Sequence, residues 1–119
     1  MIGPLSAPWD SLWWPRVIET AERNGHSEAE IREAFDNGHA VGWDVGDGYL
    51  ILARTEDDAL LVWIGVGRGV RAWSEEATQA VGAFARLVGC DRLRITGRKG
   101  WQRVLRHWDR VGDDLELMV

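Results

Sequence analysis

A mixed α/β fold, with a mostly antiparallel sheet and one parallel crossover, is what this sequence predicts, and three observations carry the prediction. Apolar residues recur at helical spacing over 9–23 and again over 74–88. They follow strand patterning, in strictly alternating or wholly apolar runs, over 39–66 and 92–96. Glycine-rich or acidic stretches separate these segments at short intervals. The resulting order is β-α-α-β-β-β-α-β-α-β, in one domain spanning 1–119.

Ile2–Leu5 reads as a short first strand. Trp9–Arg23 follows as a helix, with Trp9, Leu12, Trp13, Val17, Ile18 and Ala21 at helical spacing, Pro15 in its first turn or splitting it, and Asn24-Gly25 at its end. Ser27-Glu28-Ala29-Glu30 is a capping-box pattern that opens a second, short helix carrying Ile31, Ala34 and Phe35 on one face. Asn37-Gly38 closes it. His39–Val45, Tyr49–Thr55 and Leu60–Val66 then form three strands, and the tight breaks between them predict an antiparallel meander. Leu60–Val66 is apolar on both alternating sets, so it takes the central, doubly covered place. Ser74–Val88 is the next helix, with Ser74 as N-cap and Glu75 and Glu76 at its positive end. Arg92–Thr96 returns as a strand parallel to Leu60–Val66. The last helix carries Trp101, Val104, Leu105 and Trp108 at i, i+3, i+4 and i+7, and Leu115–Val119 is the final strand.

Composition narrows the class. The chain has 119 residues, 45% hydrophobic and 28% charged, which argues against general disorder, and no run approaches the ~20 apolar residues of a membrane span. The N-terminus lacks a signal-peptide pattern, and the single cysteine, Cys90, excludes an internal disulfide and a cysteine-rich metal site. A reduced, cytoplasmic setting is expected. His26, His39 and His107 fall in different elements and make no metal site, and His107 is read as a surface residue before it is read as a base. No Ser-His-Asp or Cys-His constellation is readable.

Charge is uneven: residues 1–60 hold four arginines against twelve acids, whereas 86–110 hold eight basic residues against two acids. Nucleic-acid attachment through Arg92, Arg94, Arg98 and Lys99 is weighed against a solvated or internally paired face, and the latter is preferred because no nucleic-acid motif accompanies the charge. Tryptophan supplies eight of the eleven aromatics. Spacing turns Trp13, Trp101 and Trp108 inward and sets Trp63 on the central strand, while Trp43 is ambiguous. Trp9, Trp14 and Trp73 remain as contact candidates, with Trp73 equally suited to a hydrophobic staple on the following helix.

The element order is similar to that of the Gcn5-related N-acetyltransferases, over nearly the whole chain and lacking one strand of their usual seven. In that family the central strand leads into a Gln/Arg-x-x-Gly-x-Gly/Ala loop whose backbone N–H groups hold the coenzyme A pyrophosphate. Ile64-Gly65-Val66-Gly67-Arg68-Gly69 resembles it in both glycines and departs from it at Ile64. The resemblance thus implies Gly67, Arg68, Gly69, Val70 and Arg71 as the cofactor-binding residues of an acetyl-coenzyme A site. The family's proton-donating tyrosine corresponds by spacing to Trp108, between Val104 and Gly112, and an indole is not a usable general acid.

The string from Leu87 to Leu105, with its Gly97-Arg98-Lys99-Gly100-Trp101 core, resembles small acetyltransferase-like proteins of tailed phages and prophages. What this implies is a non-catalytic virion-associated or morphogenesis protein with no cofactor. It would make protein-protein contacts with other particle proteins or with copies of itself through Trp9, Trp14, Trp73, Arg98 and Lys99. It would reside in the bacterial cytoplasm during assembly and then in the virion. A coenzyme A-dependent N-acyltransferase of an unassigned amine is the alternative.

Overall fold

The computed structural model describes residues 3–5, 8–96 and 99–119, with side chains over 8–96 and 101–119. Its strands are β1 (Gly3–Leu5), β2 (Ala40–Asp44), β3 (Gly48–Arg54), β4 (Ala59–Gly67), β5 (Arg92–Thr96), β6 (Asp109–Val111) and β7 (Asp114–Met118). The helices are α1 (Trp14–Arg23), α2 (Glu28–Asp36), α3 (Val70–Leu87) and α4 (Lys99–Val104), with one turn of 3-10 helix at Pro8–Asp10. The seven strands form one sheet in the order β1-β2-β3-β4-β5-β7-β6. β4 and β5 are parallel across the α3 crossover, and the other neighbours are antiparallel. This is the expected mixed sheet with one strand more than the sequence reading gave.

The extra strand comes from a shorter last helix. α4 stops at Val104, and Asp109–Val111 pairs with Asp114–Met118 about a turn in which Gly112 has φ 63°. Trp108 therefore lies in the approach to β6, and the helical spacing from Val104 through Trp108 to Gly112 is not realised. Two helix starts are also corrected. α1 begins at Trp14 because Pro15, which has no N–H to give, occupies its first turn. The rotation this imposes buries Trp14, Val17 and Ala21, leaves Trp13 half-buried beside the Arg16 guanidinium and exposes Leu12 almost fully. α3 begins at Val70, so Ser74 does not cap it, Glu75 and Glu76 lie beyond its first turn, and Trp73 is a buried first-turn residue.

α2 starts as expected: the Glu30 N–H donates to the Ser27 hydroxyl at 3.1 Å. The reciprocal half of the box is absent, because the Glu30 carboxylate sits 2.8 Å from Nδ1 of His26 instead. Gly38, at φ 72°, ends α2 in a left-handed turn with the His39 N–H returned to the Ala34 carbonyl.

Two apolar layers sandwich the sheet. Trp73, Ala77, Val81 and Ala85 of α3 pack on Leu50, Leu52, Leu60, Val62 and Leu93. Trp14, Val17 and Ala21 of α1 and Ile31 of α2 pack on Tyr49, Ile51, Ile64 and Val66. Burying each such aliphatic side chain stabilises the fold by about 1.5–3 kcal/mol. The switch of face within β4, from Val62 on the α3 side to Ile64 on the α1 side, has a local cause. Ile51 pairs with Ile64 and Leu52 with Val62, so Trp63 is an extra residue that bulges out of the ladder.

Candidate functional site

A β-bulge bends the strand that carries it, and here it coincides with a parting of strands. β5 pairs with β4 only over Ala59–Val62, opposite Arg92–Ile95. Beyond Val62, residues 63–67 run on with no ladder to β5, so among the described residues that edge of β4 has no strand partner. The wedge opens on the α1 side as a cleft of about 180 Å³. Its walls are Arg16, Glu19, Thr20 and Arg23 of α1, Gly65, Val66 and Gly67 of β4, Val70 of α3 and Trp101 of α4. Toward Trp63 and Thr96 it is continued by a second hollow of about 50 Å³ that shares Thr20, Gly65 and Trp101 with it. Gly65 lets the Trp101 indole lie close to the strand: a Cβ there would stand 3.0 Å from its Cζ2 and 3.2 Å from Cδ2 of Leu50, and both side chains would have to yield by a few tenths of an ångström.

At the same, C-terminal end of β4, the chain turns into the N-terminus of α3. Gly69 is its N-cap at φ 59° and ψ 43°, with no side-chain cap, and a Cβ placed there would meet nothing within 4 Å. The Ala72 N–H turns back to the Gly69 carbonyl at 2.8 Å, while the amides of Val70 and Arg71 have no carbonyl one turn earlier in the helix. No acidic residue occupies the first turn, and the exposed Arg68 and Arg71 add their charge to the positive end of an 18-residue helix.

The loop is held from beneath. The Arg68 N–H donates to the Asp47 carbonyl at 2.8 Å, and Nε1 of Trp73 donates to the Arg68 carbonyl at 2.8 Å. A Cβ on Gly67 would lie 2.7 Å from the Asp47 carbonyl oxygen and 3.0 Å from Cζ2 of Trp73, so the second loop glycine is required by packing. The sequence left Trp73 open between staple and exposed anchor; it is the prop of this loop.

The remaining site expectations divide sharply. Trp14 is buried and its indole donates to the Glu28 carboxylate at 3.1 Å, which holds that carboxyl below its usual range together with Arg32. Trp14 is thus not an exposed contact. Trp9 is half-buried, edge-on to Trp14 and Phe35, with the Arg32 guanidinium 4.9 Å from its ring. Arg98 lies outside the described residues, as does the side chain of Lys99. Arg92 and Arg94 are engaged within the fold: Asp57 receives hydrogen bonds from both, and Arg94 also reaches Glu116 at 2.7 Å. They therefore do not form a free basic stripe. Tyr49 is fully buried on β3 with its hydroxyl over Gly42, away from the cleft, and burial pushes its phenol above the ordinary range. Cys90 is buried, and its thiol is likewise raised by desolvation.

Sequence reasoning missed the bulge and the Trp101 wall. A Val-Trp-Ile-Gly run inside an otherwise continuous apolar strand was the available signal, since a strand-internal glycine marks a bulge or a close approach.

No family model and no curated protein matches the sequence. Solved structures do match the architecture. The chain is similar to an IAA acetyltransferase from Bacillus cereus, with a TM-score of 0.64 at 13% identity, covering 100% of this chain and 99% of that one. Its fold is that of the Gcn5-related N-acetyltransferases. A Bacillus subtilis acetyltransferase in complex with coenzyme A is similar at a TM-score of 0.57 and 17% identity, with 99% of this chain and 97% of that one covered. A structure of the AtaT–AtaR complex bound to DNA contains a chain similar at a TM-score of 0.62 and 13% identity, over 99% of this chain and 93% of that one. Among the described residues no helix is long and apolar enough to cross a membrane, and no cluster of potential metal ligands is present.

Proposed function

We propose that the chain is an N-acyltransferase that takes its acyl group from an acyl-coenzyme A. One juxtaposition carries the reading: an uncapped, doubly basic helix N-terminus stands at the end of a strand edge left unpaired over 63–67. The first suits a pyrophosphate and the second suits an extended, amide-bearing chain. The open space at Gly69 supports the fit, because a phosphate oxygen can approach the Val70 and Arg71 amides there.

In this reading Gly67, Arg68, Gly69, Val70 and Arg71 hold the diphosphate, and the free edge of β4 orients the chain toward the bulge at Trp63. A bound acyl-coenzyme A supplies a thioester-activated acyl group. Backbone N–H groups on the unpaired edge stabilise negative charge on its carbonyl oxygen. Glu19 is the carboxylate on the described cleft wall, and it takes the proton from the attacking amine. Solvent reaches the cleft and protonates the departing thiolate.

The non-catalytic particle-protein reading loses two of its five contact residues, since Trp14 and Trp73 are buried. The acyltransferase is tested by incubating the full chain with acetyl-coenzyme A and a panel of amines and peptide N-termini while following free thiol. Amine-dependent release at least tenfold above background, reduced in Glu19→Gln with coenzyme A binding retained, is expected. Release equal to background with every amine contradicts it.

A further inference from the structure

Trp101 lines both hollows on the α1 face of the sheet, and it also lines a third space on the opposite face. That third space, about 30 Å³, lies between α3 and the sheet. Its walls include Val62, Ala77, Leu93, Ile95 and Trp108, and it has no charged lining residue. Val62 and Ile95 are the last pair of the β4–β5 ladder and border the 50 Å³ hollow as well. The hollows on the two faces of the sheet therefore adjoin at that pair, and the indole leaning against Gly65 stands between them.

We propose that Trp101 sets the acyl-chain length of the donor, confining it to acetyl, and that the apolar space behind the indole is an acyl-chain subsite which the indole closes. The inference rests on the acyl-coenzyme A reading above. A void of about 30 Å³ holds roughly one water-sized group. A chain several carbons longer than acetyl therefore needs the room that the indole fills. The walls favour an unbranched apolar chain, because they are mostly apolar, with Ser74 and Thr78 the polar side chains, and a charged chain would lose its hydration there without an opposite charge to pair with. Removing the indole takes away the wall between the 50 Å³ hollow and the space under α3, which share Val62 and Ile95.

The test titrates coenzyme A, acetyl-coenzyme A and hexanoyl-coenzyme A into the full chain and into Trp101→Ala. Wild type is expected to bind acetyl-coenzyme A at least tenfold more tightly than hexanoyl-coenzyme A. In Trp101→Ala that ratio should fall or invert by at least tenfold, with coenzyme A itself bound within threefold of wild type. Trp101→Leu, a milder change for use if the alanine variant melts, should move the ratio in the same direction. Adding Ala77→Leu to either variant refills the space from α3 and should restore the preference for acetyl. A ratio unchanged in both Trp101 variants overturns the proposal, as does wild type binding hexanoyl- and acetyl-coenzyme A equally. Failure of folded wild type to bind coenzyme A at all refutes the underlying reading and this inference with it.

Discussion

The indole N–H of Trp73 donates to the carbonyl oxygen of Arg68 across 2.8 Å, tying the first turn of α3 to the loop that precedes it. The bond fixes the direction of the Arg68 peptide, and the Arg68 N–H on its other side is held by Asp47. Both faces of the phosphate-binding candidate are thus set before any ligand arrives.

Trp73→Phe keeps the apolar filling and removes the donor. The Arg68 carbonyl is then left to water, at a cost of about 0.5–1.5 kcal/mol in stability, and coenzyme A binding weakens severalfold because the loop is no longer preset. Urea unfolding and calorimetric titration of the same variant read the two effects separately. Unchanged affinity alongside the stability loss would assign Trp73 to packing alone.

Arg68 and Arg71 are exposed and their side chains tie no element to another among the described residues, so Arg71→Glu should leave the melting temperature within a few degrees of wild type. Its effect belongs to the anion. Affinity for coenzyme A should drop at least tenfold, and the salt dependence of binding should become shallower. Equal affinity for wild type and variant between low and high salt would remove the helix N-terminus from the site.

Gly42 and Tyr49 are coupled through space rather than chemistry. A Cβ on Gly42 would overlap the Tyr49 hydroxyl oxygen at a separation of 1.7 Å. Gly42→Ala should destabilise by several kcal/mol, about the range of severe overpacking. Tyr49→Phe alone should change stability by no more than about 1 kcal/mol, since the hydroxyl has no hydrogen-bond partner among the described residues. In the double variant the phenyl ring relieves part of the overlap. Strict additivity in this cycle would contradict the contact.

Asp57 links the β3–β4 turn to β5, and its hydrogen bonds from Arg94, Thr55 and Arg92 hold its carboxyl far below the usual range. A carboxyl depressed in the folded state contributes stability above its unfolded pKa, near 4, and that contribution is lost as pH falls below about 4. Wild type should therefore lose stability on acidification more steeply than Asp57→Asn. Coincident acid limbs in chemical denaturation from pH 6 to pH 2 would show that the network carries no such linkage.

Much of the fold was legible because local chemistry and tertiary structure agree where caps and strands are concerned. Ser27 caps α2, Gly38 ends it, and the meander and parallel crossover lie where alternation and turns put them. The misreadings share one cause, aromatic residues whose spacing imitates a helix or leaves it by one position. Trp108, seven residues after Trp101, mimicked another helical turn, although Val111-Gly112-Asp113 carries the glycine-acid signature of a hairpin. Trp13 and Trp14 exchanged places because Pro15 moved the helix start. The Gly67–Arg71 loop was visible in the sequence. The bulge at Trp63, the closing indole of Trp101 and the propping indole of Trp73 were not, because each depends on contacts between residues far apart in the chain or on a one-residue shift of register.

Titration of acetyl-coenzyme A into the full chain, beside Gly69→Val, tests the central claim most directly. Gly69 is surrounded by open space but holds φ 59°, so valine there strains the N-cap and blocks approach to the Val70 and Arg71 amides without touching the core. Wild type should bind one acetyl-coenzyme A per chain and be stabilised by about 2.7 kcal/mol at a hundredfold excess over Kd, with the folded variant at least tenfold weaker. No binding to folded wild type, or equal binding to both proteins, would contradict the account.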